Sequence, residues 1–169
     1  LRADETTRFL ILEMGASGPG HIAYLTDIAP LDAAGVLMIG HAHMGGFGSI
    51  EGVAAAKAEI IAGLRPEGTA VLNADDARAA AMAELAPARV LTFSARGRQA
   101  DLRAENVDLD AAARAAFDLH LPGLAEPRRV QLAVAGVHNV SNALAAAGLA
   151  LAAGLAPELV AERLGSVSI

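Results

Sequence analysis

The chain has 169 residues, of which 54% are hydrophobic and 19% charged, so it can bury the core of one domain and is no disordered tail. A formal net charge of −6, a pI near 5.3 and 3% aromatic residues exclude a basic duplex-binding face, a polybasic membrane anchor and a base-stacking platform. Zero cysteines exclude disulfides, thiolate metal sites and a Cys nucleophile, which fits a reducing compartment.

Arg8-Phe-Leu-Ile-Leu-Glu13 is a continuous apolar run closed by a carboxylate and Gly15, the pattern of a strand buried on both faces. After Gly18-Pro-Gly20, His21–Ile28 predicts a short helix stopped by Pro30. Ala34–Ile39 predicts a second strand, running into the loop Gly40-His-Ala-His-Met-Gly-Gly-Phe-Gly48. Ser49 is placed as an N-cap, with Glu51 in the first turn of a helix to about Leu64. Gly68–Asn73 predicts a strand, Asp76–Leu85 a helix and Arg89–Phe93 another strand. This alternation with short connections predicts an α/β fold, a mostly parallel sheet with helices on both faces. From Asp101 to Asp110 and Phe117 to Ala135 the pattern becomes period two around Pro122-Gly123, predicting a small antiparallel edge. Helices follow over about Asn139–Ala153 and Pro157–Leu164, with Gly154 as a C-cap. The longest apolar run, Leu144–Ala156, falls short of the ~20 residues that cross a bilayer, so no membrane partner is expected. No linker or repeat divides the chain, which predicts one domain over residues 1–169.

Polar residues gather where open parallel sheets bind ligands, outside the carboxyl ends of the strands. Glu13 ends the first predicted strand, His41 and His43 follow the second, and Asn73, Asp75 and Asp76 end the third. Carboxylate, imidazole and amide groups at neighbouring strand ends suit a metal–nucleotide site, and without cysteine the metal is a hard one such as Mg²⁺. Lys57 is the only lysine, and it stands in the apolar stripe of Ile50, Val53, Ile60, Ile61 and Leu64. Its amine either snorkels outward or is partly desolvated, which favours the neutral form. A neutral amine can add carbon dioxide to give a carbamate, an oxygen ligand that arginine cannot provide. Gly136-Val-His-Asn-Val-Ser-Asn142 opens a helix and crowds His138, Asn139 and Asn142 into its first turn. There Asn139 is either a plain N-cap or, with its neighbours, a polar wall for a purine or ribose. The sequence holds no Gly-x-x-x-x-Gly-Lys-Ser/Thr loop. Arg96, Arg98, Arg103 and Arg128-Arg129 are expected on solvated faces.

Five motifs together carry a family resemblance: Glu13-Met-Gly-Ala16 with Gly20-His-Ile22; Ile39-Gly-His-Ala-His43 into Gly46-Phe-Gly-Ser49; Ala56-Lys-Ala-Glu-Ile60; Val71-Leu-Asn-Ala-Asp-Asp76; and Gly136-Val-His-Asn139 into Asn142-Ala-Leu-Ala-Ala146. In this order they resemble the central ATP-binding domain of the Mur ligases, ATP-dependent amide-forming enzymes of bacterial peptidoglycan synthesis. The Glu-Met-Gly-Ala form is similar to the branch that adds D-alanyl-D-alanine to UDP-N-acetylmuramoyl-tripeptide. The resemblance implies a P-loop-NTPase-like fold and a monomeric, cytoplasmic enzyme that uses ATP and two Mg²⁺. It implies that Glu13 ligates one Mg²⁺, that His43 and a carbamylated Lys57 hold the second, and that Asn73, His138, Asn139 and Asn142 line the nucleotide pocket. It further implies that the P-loop, the UDP-binding domain and a C-terminal domain lie outside residues 1–169, so that this stretch alone is expected to be inactive. Met38 stands where the family commonly has Asn, and His41 fills a variable position. Another Mur-type ligase with a different acid or amine, and a catalytically silent nucleotide-binding module, are the alternative expectations.

Overall fold

A computed structural model describes residues 3–40 and 47–166. Its elements, in chain order, are α1 (His21–Ile28), β1 (Leu31–Val36), α2 (Ile50–Ala62), β2 (Leu64–Asn73), α3 (Ala77–Ala81) continued by a 3₁₀ turn Met82–Leu85, β3 (Arg89–Ser94), β4 (Leu102–Leu109), β5 (Arg114–His120), β6 (Arg128–Ala135), α4 (His138–Ala152) and α5 (Pro157–Leu164). The strands form one six-stranded sheet in sequence order. β1 to β4 pair parallel, whereas β5 and β6 add antiparallel. The expected parallel sheet with an antiparallel edge is therefore the observed one.

Side chains of β2 show why both faces need covering. Val71 points into a core built with Phe93, Leu102, Phe117, Leu119, Leu144 and Val160, roofed by α4 and α5. Ala70 and Leu72 point the opposite way, to Val36, Val53, Ile61, Ala79 and Met82, beneath α2 and α3. A strand that alternates between two buried faces reads as an unbroken apolar run, as Gly68–Asn73 does. Phe93, Phe117 and Leu144 are fully buried, each contributing about 1.5–3 kcal/mol of transfer free energy. α4 lies close on the sheet because Gly148 lacks a side chain: a Cβ there would stand 2.6 Å from Val71 Cγ1. Ser49 caps α2 by accepting from Gly52 N–H at 3.1 Å, Pro157 opens α5, and Gly154, one residue beyond the α4 C-cap, takes φ +84°.

One expected element is absent. Arg8–Glu13 forms no strand; Phe9 is 54% and Ile11 91% exposed. An apolar run records a need for burial, but a strand buried on both faces also requires a hydrogen-bonding neighbour. No described strand pairs with this one, and β1 is itself the edge of the sheet. β1 also ends earlier than the predicted Ile39, because residues 37–39 bind side chains instead of a ladder, as described below. The expected surface arginines are largely paired at the surface, Arg129 with Asp108 at 2.9 Å and Asp118 at 3.2 Å.

Candidate functional site

Parallel β1, β2 and β3 place their carboxyl ends on one rim. There the chain leaving β1 is held at three consecutive residues by three other elements. Asn73, the last residue of β2 and only 7% exposed, donates Nδ2–H to the Leu37 carbonyl at 2.7 Å. Lys57 of α2 donates from Nζ to the Met38 carbonyl at 2.8 Å. Asp76 accepts the Ile39 N–H at Oδ2, 2.7 Å away, while its Oδ1 caps α3 by accepting from Arg78 N at 2.9 Å and Ala79 N at 3.1 Å. Burial pushes the Asp76 pKa up, but the backbone donors of Ile39, Ala79 and Arg78 and the Arg78 charge outweigh it and hold it below the ordinary aspartate value.

The rest of the Asn73–Asp76 motif is committed as well. Asn73 Oδ1 accepts from Asp75 N at 2.8 Å, so both polar atoms of this expected nucleotide ligand are bound within the chain. Asp75 accepts from Ser94 Oγ and Ala95 N, each at 2.8 Å, and fixes the turn leaving β3. Glu59, two residues beyond Lys57, accepts from Gly20 N at 2.6 Å and Ala23 N at 3.0 Å. A carboxylate at the α1 N-terminus also meets the favourable end of the helix dipole. Glu59 thereby ties the Ala56–Ile60 motif to Gly20-His-Ile22.

Lys57 flanks the buried side of α2, formed by Val53, Ala56 and Ile61, and is half-buried. Its amine goes neither to bulk water nor to an apolar pocket; it ends on a strand-exit carbonyl. Glu13 is exposed, and no hydrogen bond or ion pair joins it to this cluster among the described residues. His41 and His43 lie outside the described residues. Among the described residues no three His, Cys, Asp or Glu side chains gather as a metal cluster.

α4 supplies the other polar wall. β6 runs in the same direction as β1 to β4, being antiparallel to β5, which is antiparallel to β4. β4 pairs with the end of β3 only at Phe93↔Leu102 and Ser94↔Arg103, so the β4–β6 ribbon rises past the rim. α4 starts at the top of that ribbon and returns to lay Gly148 against Val71 and Leu149 against Gly35. His138 lies ~15 Å up the helix from Gly148 and so overhangs the rim. His138 and Asn142 are exposed and Asn139 half-buried. Asn139 is not the N-cap; the helix begins one residue earlier, and Asn139 Nδ2 donates back to the Ala135 carbonyl at 2.8 Å. Asn142 Nδ2 donates to Asn139 Oδ1 at 2.9 Å, which leaves the Asn142 carbonyl oxygen and the His138 ring turned to solvent.

The sequence shows Asp76 as one of the polar residues ending the third predicted strand and as a helix start, and Glu59 as one member of a motif; it does not show that Asp76 clamps the chain leaving β1 or that Glu59 clamps the α1 N-terminus. A carboxylate at an N-cap needs only one oxygen for capping, and that spare oxygen was the available signal for Asp76.

The family model for the Mur ligase middle domain matches residues 1–150. The UDP-N-acetylmuramoyl-tripeptide–D-alanyl-D-alanine ligase of Mycobacterium tuberculosis (strain H37Rv) is 46% identical over 164 residues, covering 97% of this chain and 32% of the relative. The Escherichia coli (strain K12) protein of that name is 35% identical over 156 residues, 91% of this chain and 34% of its own length. A crystal structure of MurF from Acinetobacter baumannii superposes with a TM-score of 0.82 at 35% identity, covering 92% of this chain and 33% of that one. The chain thus spans about a third of the length of the relatives it matches. With the model covering nearly all of its length and the same sheet recurring in solved relatives, the chain belongs to the Mur ligase middle-domain family.

Proposed function

We propose that the full-length protein containing this chain is an ATP-dependent ligase that joins D-alanyl-D-alanine to UDP-N-acetylmuramoyl-tripeptide, and that residues 1–169 form its nucleotide-handling domain. The observation that carries this reading is the likeness over 97% of the chain to a relative bearing that name. A phosphate-binding loop, a UDP-binding domain and a C-terminal domain belong, in this reading, to the rest of that protein.

ATP phosphorylates the terminal carboxylate of the tripeptide, giving an acyl phosphate and ADP. The amine of D-alanyl-D-alanine then attacks the acyl carbon, the new C–N bond forms, the C–O bond breaks, and phosphate leaves as the amine proton passes to solvent. The donor set fits a hard, oxygen-preferring cation such as Mg²⁺: Glu13 is an exposed, uncommitted carboxylate, and a carbamate on Lys57 adds further oxygens. Glu13 would hold one Mg²⁺, and Lys57 with His43 a second. Such ions supply positive charge to the phosphate oxygens. His138 and Asn142 hold the nucleoside from the overhanging end of α4, with Asn139 and Asn73, whose own polar atoms are bound within the chain, bracing the pocket from behind. Charge placed in advance at the rim is the largest source of catalysis available to this reaction.

A coupled phosphate-release assay on the full-length protein tests the proposal. Phosphate release requiring ATP, UDP-N-acetylmuramoyl-tripeptide and D-alanyl-D-alanine together is the expected result. Release driven by a different amine, or none with all three present, contradicts it.

A further inference from the structure

We infer that Asp76 is a positioning residue for the Lys57 amine, acting through the backbone of residues 37–39. The inference rests on the reading that Lys57 works at the reacting centre. The Met38 carbonyl is the acceptor that fixes Nζ, and it shares one planar peptide group with the Ile39 N–H, so whatever holds that N–H sets where the carbonyl points. The Leu37 carbonyl is bound by Asn73 Nδ2 at 2.7 Å and the Ile39 N–H by Asp76 Oδ2 at 2.7 Å, so the intervening carbonyl is fixed from both sides.

The two grips differ in kind. Asn73 is buried in the sheet and also holds Asp75, so its loss disturbs the fold. Asp76 divides its two oxygens: Oδ1 serves the helix cap and Oδ2 serves Ile39 alone. The second oxygen is not needed for capping, which a single side-chain oxygen accomplishes. Its task is the strand exit. The arrangement suits either state of Lys57. Addition of the neutral amine to carbon dioxide forms an N–C bond and releases one proton to water, and the nitrogen keeps one N–H. That N–H can still be donated to Met38, which would turn the new carboxylate away from the strand.

Asp76→Asn separates the two tasks, because asparagine caps helices as well as aspartate but presents an N–H₂ where Ile39 N–H needs an acceptor. Asp76→Ser, which caps but cannot reach Ile39, is the second variant. Both are made in the full-length protein and, with Lys57→Ala, in a double-mutant cycle measured with formate added to replace the missing carboxylate. We expect Asp76→Asn to lower kcat about tenfold or more, as small misplacements of reacting groups do, with the KM for ATP changed less than about twofold. We also expect faster amide exchange over residues 37–40. In the formate-rescued Lys57→Ala background the same change should cost less than about twofold, since an untethered carboxylate does not depend on Met38. A purely structural role would lower both backgrounds equally, and that result overturns the inference. So does an unchanged kcat in Asp76→Asn while Lys57→Ala is inactive, or loss of the folded transition in both Asp76 variants. Full activity of Lys57→Ala without formate would instead remove the reading of Lys57 itself, and the inference with it.

Discussion

Two short stretches, one of four residues and one of six, meet opposite fates. Asn73–Asp76 is polar, yet its side chains are turned inward to carbonyls and N–H groups of the strand exits and the α3 start. Arg8–Glu13 is apolar, yet Phe9 and Ile11 stand in solvent and the Glu13 carboxylate is uncommitted. The contrast teaches that polar residues at a strand end divide into those that build the rim and those left free for a ligand. Residue type does not tell them apart; their partners do.

The largest effects are expected at the two groups assigned to the metal ions, the uncommitted Glu13 carboxylate and the Lys57 amine. Lys57→Ala and Glu13→Gln in the full-length protein should each cut kcat by about 10²-fold or more, as removal of a charge-stabilising group does, with kcat read by phosphate release. Glu13→Gln should leave the unfolding midpoint in place, since an exposed side chain without a partner contributes within about 0.5 kcal/mol. A matching loss of stability would erase the distinction between the two stretches.

At the framing group the balance reverses. Asn73→Ala leaves the Leu37 carbonyl and the Asp75 N–H without their partner and should cost about 2–3 kcal/mol in urea unfolding. A small stability loss coupled to a large rise in the KM for ATP would instead return Asn73 to the nucleotide.

A subtler effect lies in pH. The Asp76 pKa is lower folded than unfolded, so its contribution is fully present above the ordinary aspartate value and is lost as pH falls through the lowered one. The stability gap between the wild-type protein and Asp76→Asn should therefore be constant near neutrality and close only under strong acid. A gap that opens on acidification would reverse the sign and contradict the assigned bonds. Smallest of all, Ile11→Ser in the 169-residue chain should shift stability by no more than about 0.5 kcal/mol, as its 91% exposure requires.

What was legible follows from what leaves a local signature. Ser49 with Glu51 marks a helix start, Pro157 and Gly154 punctuate the last two helices, and the alternation of strands and helices fixes the parallel sheet. Lys57 stood out because one charge interrupts an apolar stripe. Its acceptor did not, because a backbone carbonyl carries no residue identity. Arg8–Glu13 misled for the converse reason: side chains advertise burial, whereas strand pairing depends on a neighbour elsewhere in the chain. Asn73 was assigned to the ligand because an amide at a strand end suits a nucleotide as well as it suits a nearby carbonyl.

The most direct test of the rim as the reaction site is a crystal structure of the full-length protein with a non-hydrolysable ATP analogue and Mn²⁺ in place of Mg²⁺, read by anomalous scattering. The account predicts metal peaks at bonding distance from Glu13 and from an oxygen carried by Lys57, with the nucleoside under His138 and Asn142. Metal and nucleotide bound away from the carboxyl ends of β1 and β2, with Glu13 and Lys57 on opposite sides of the molecule, would contradict it.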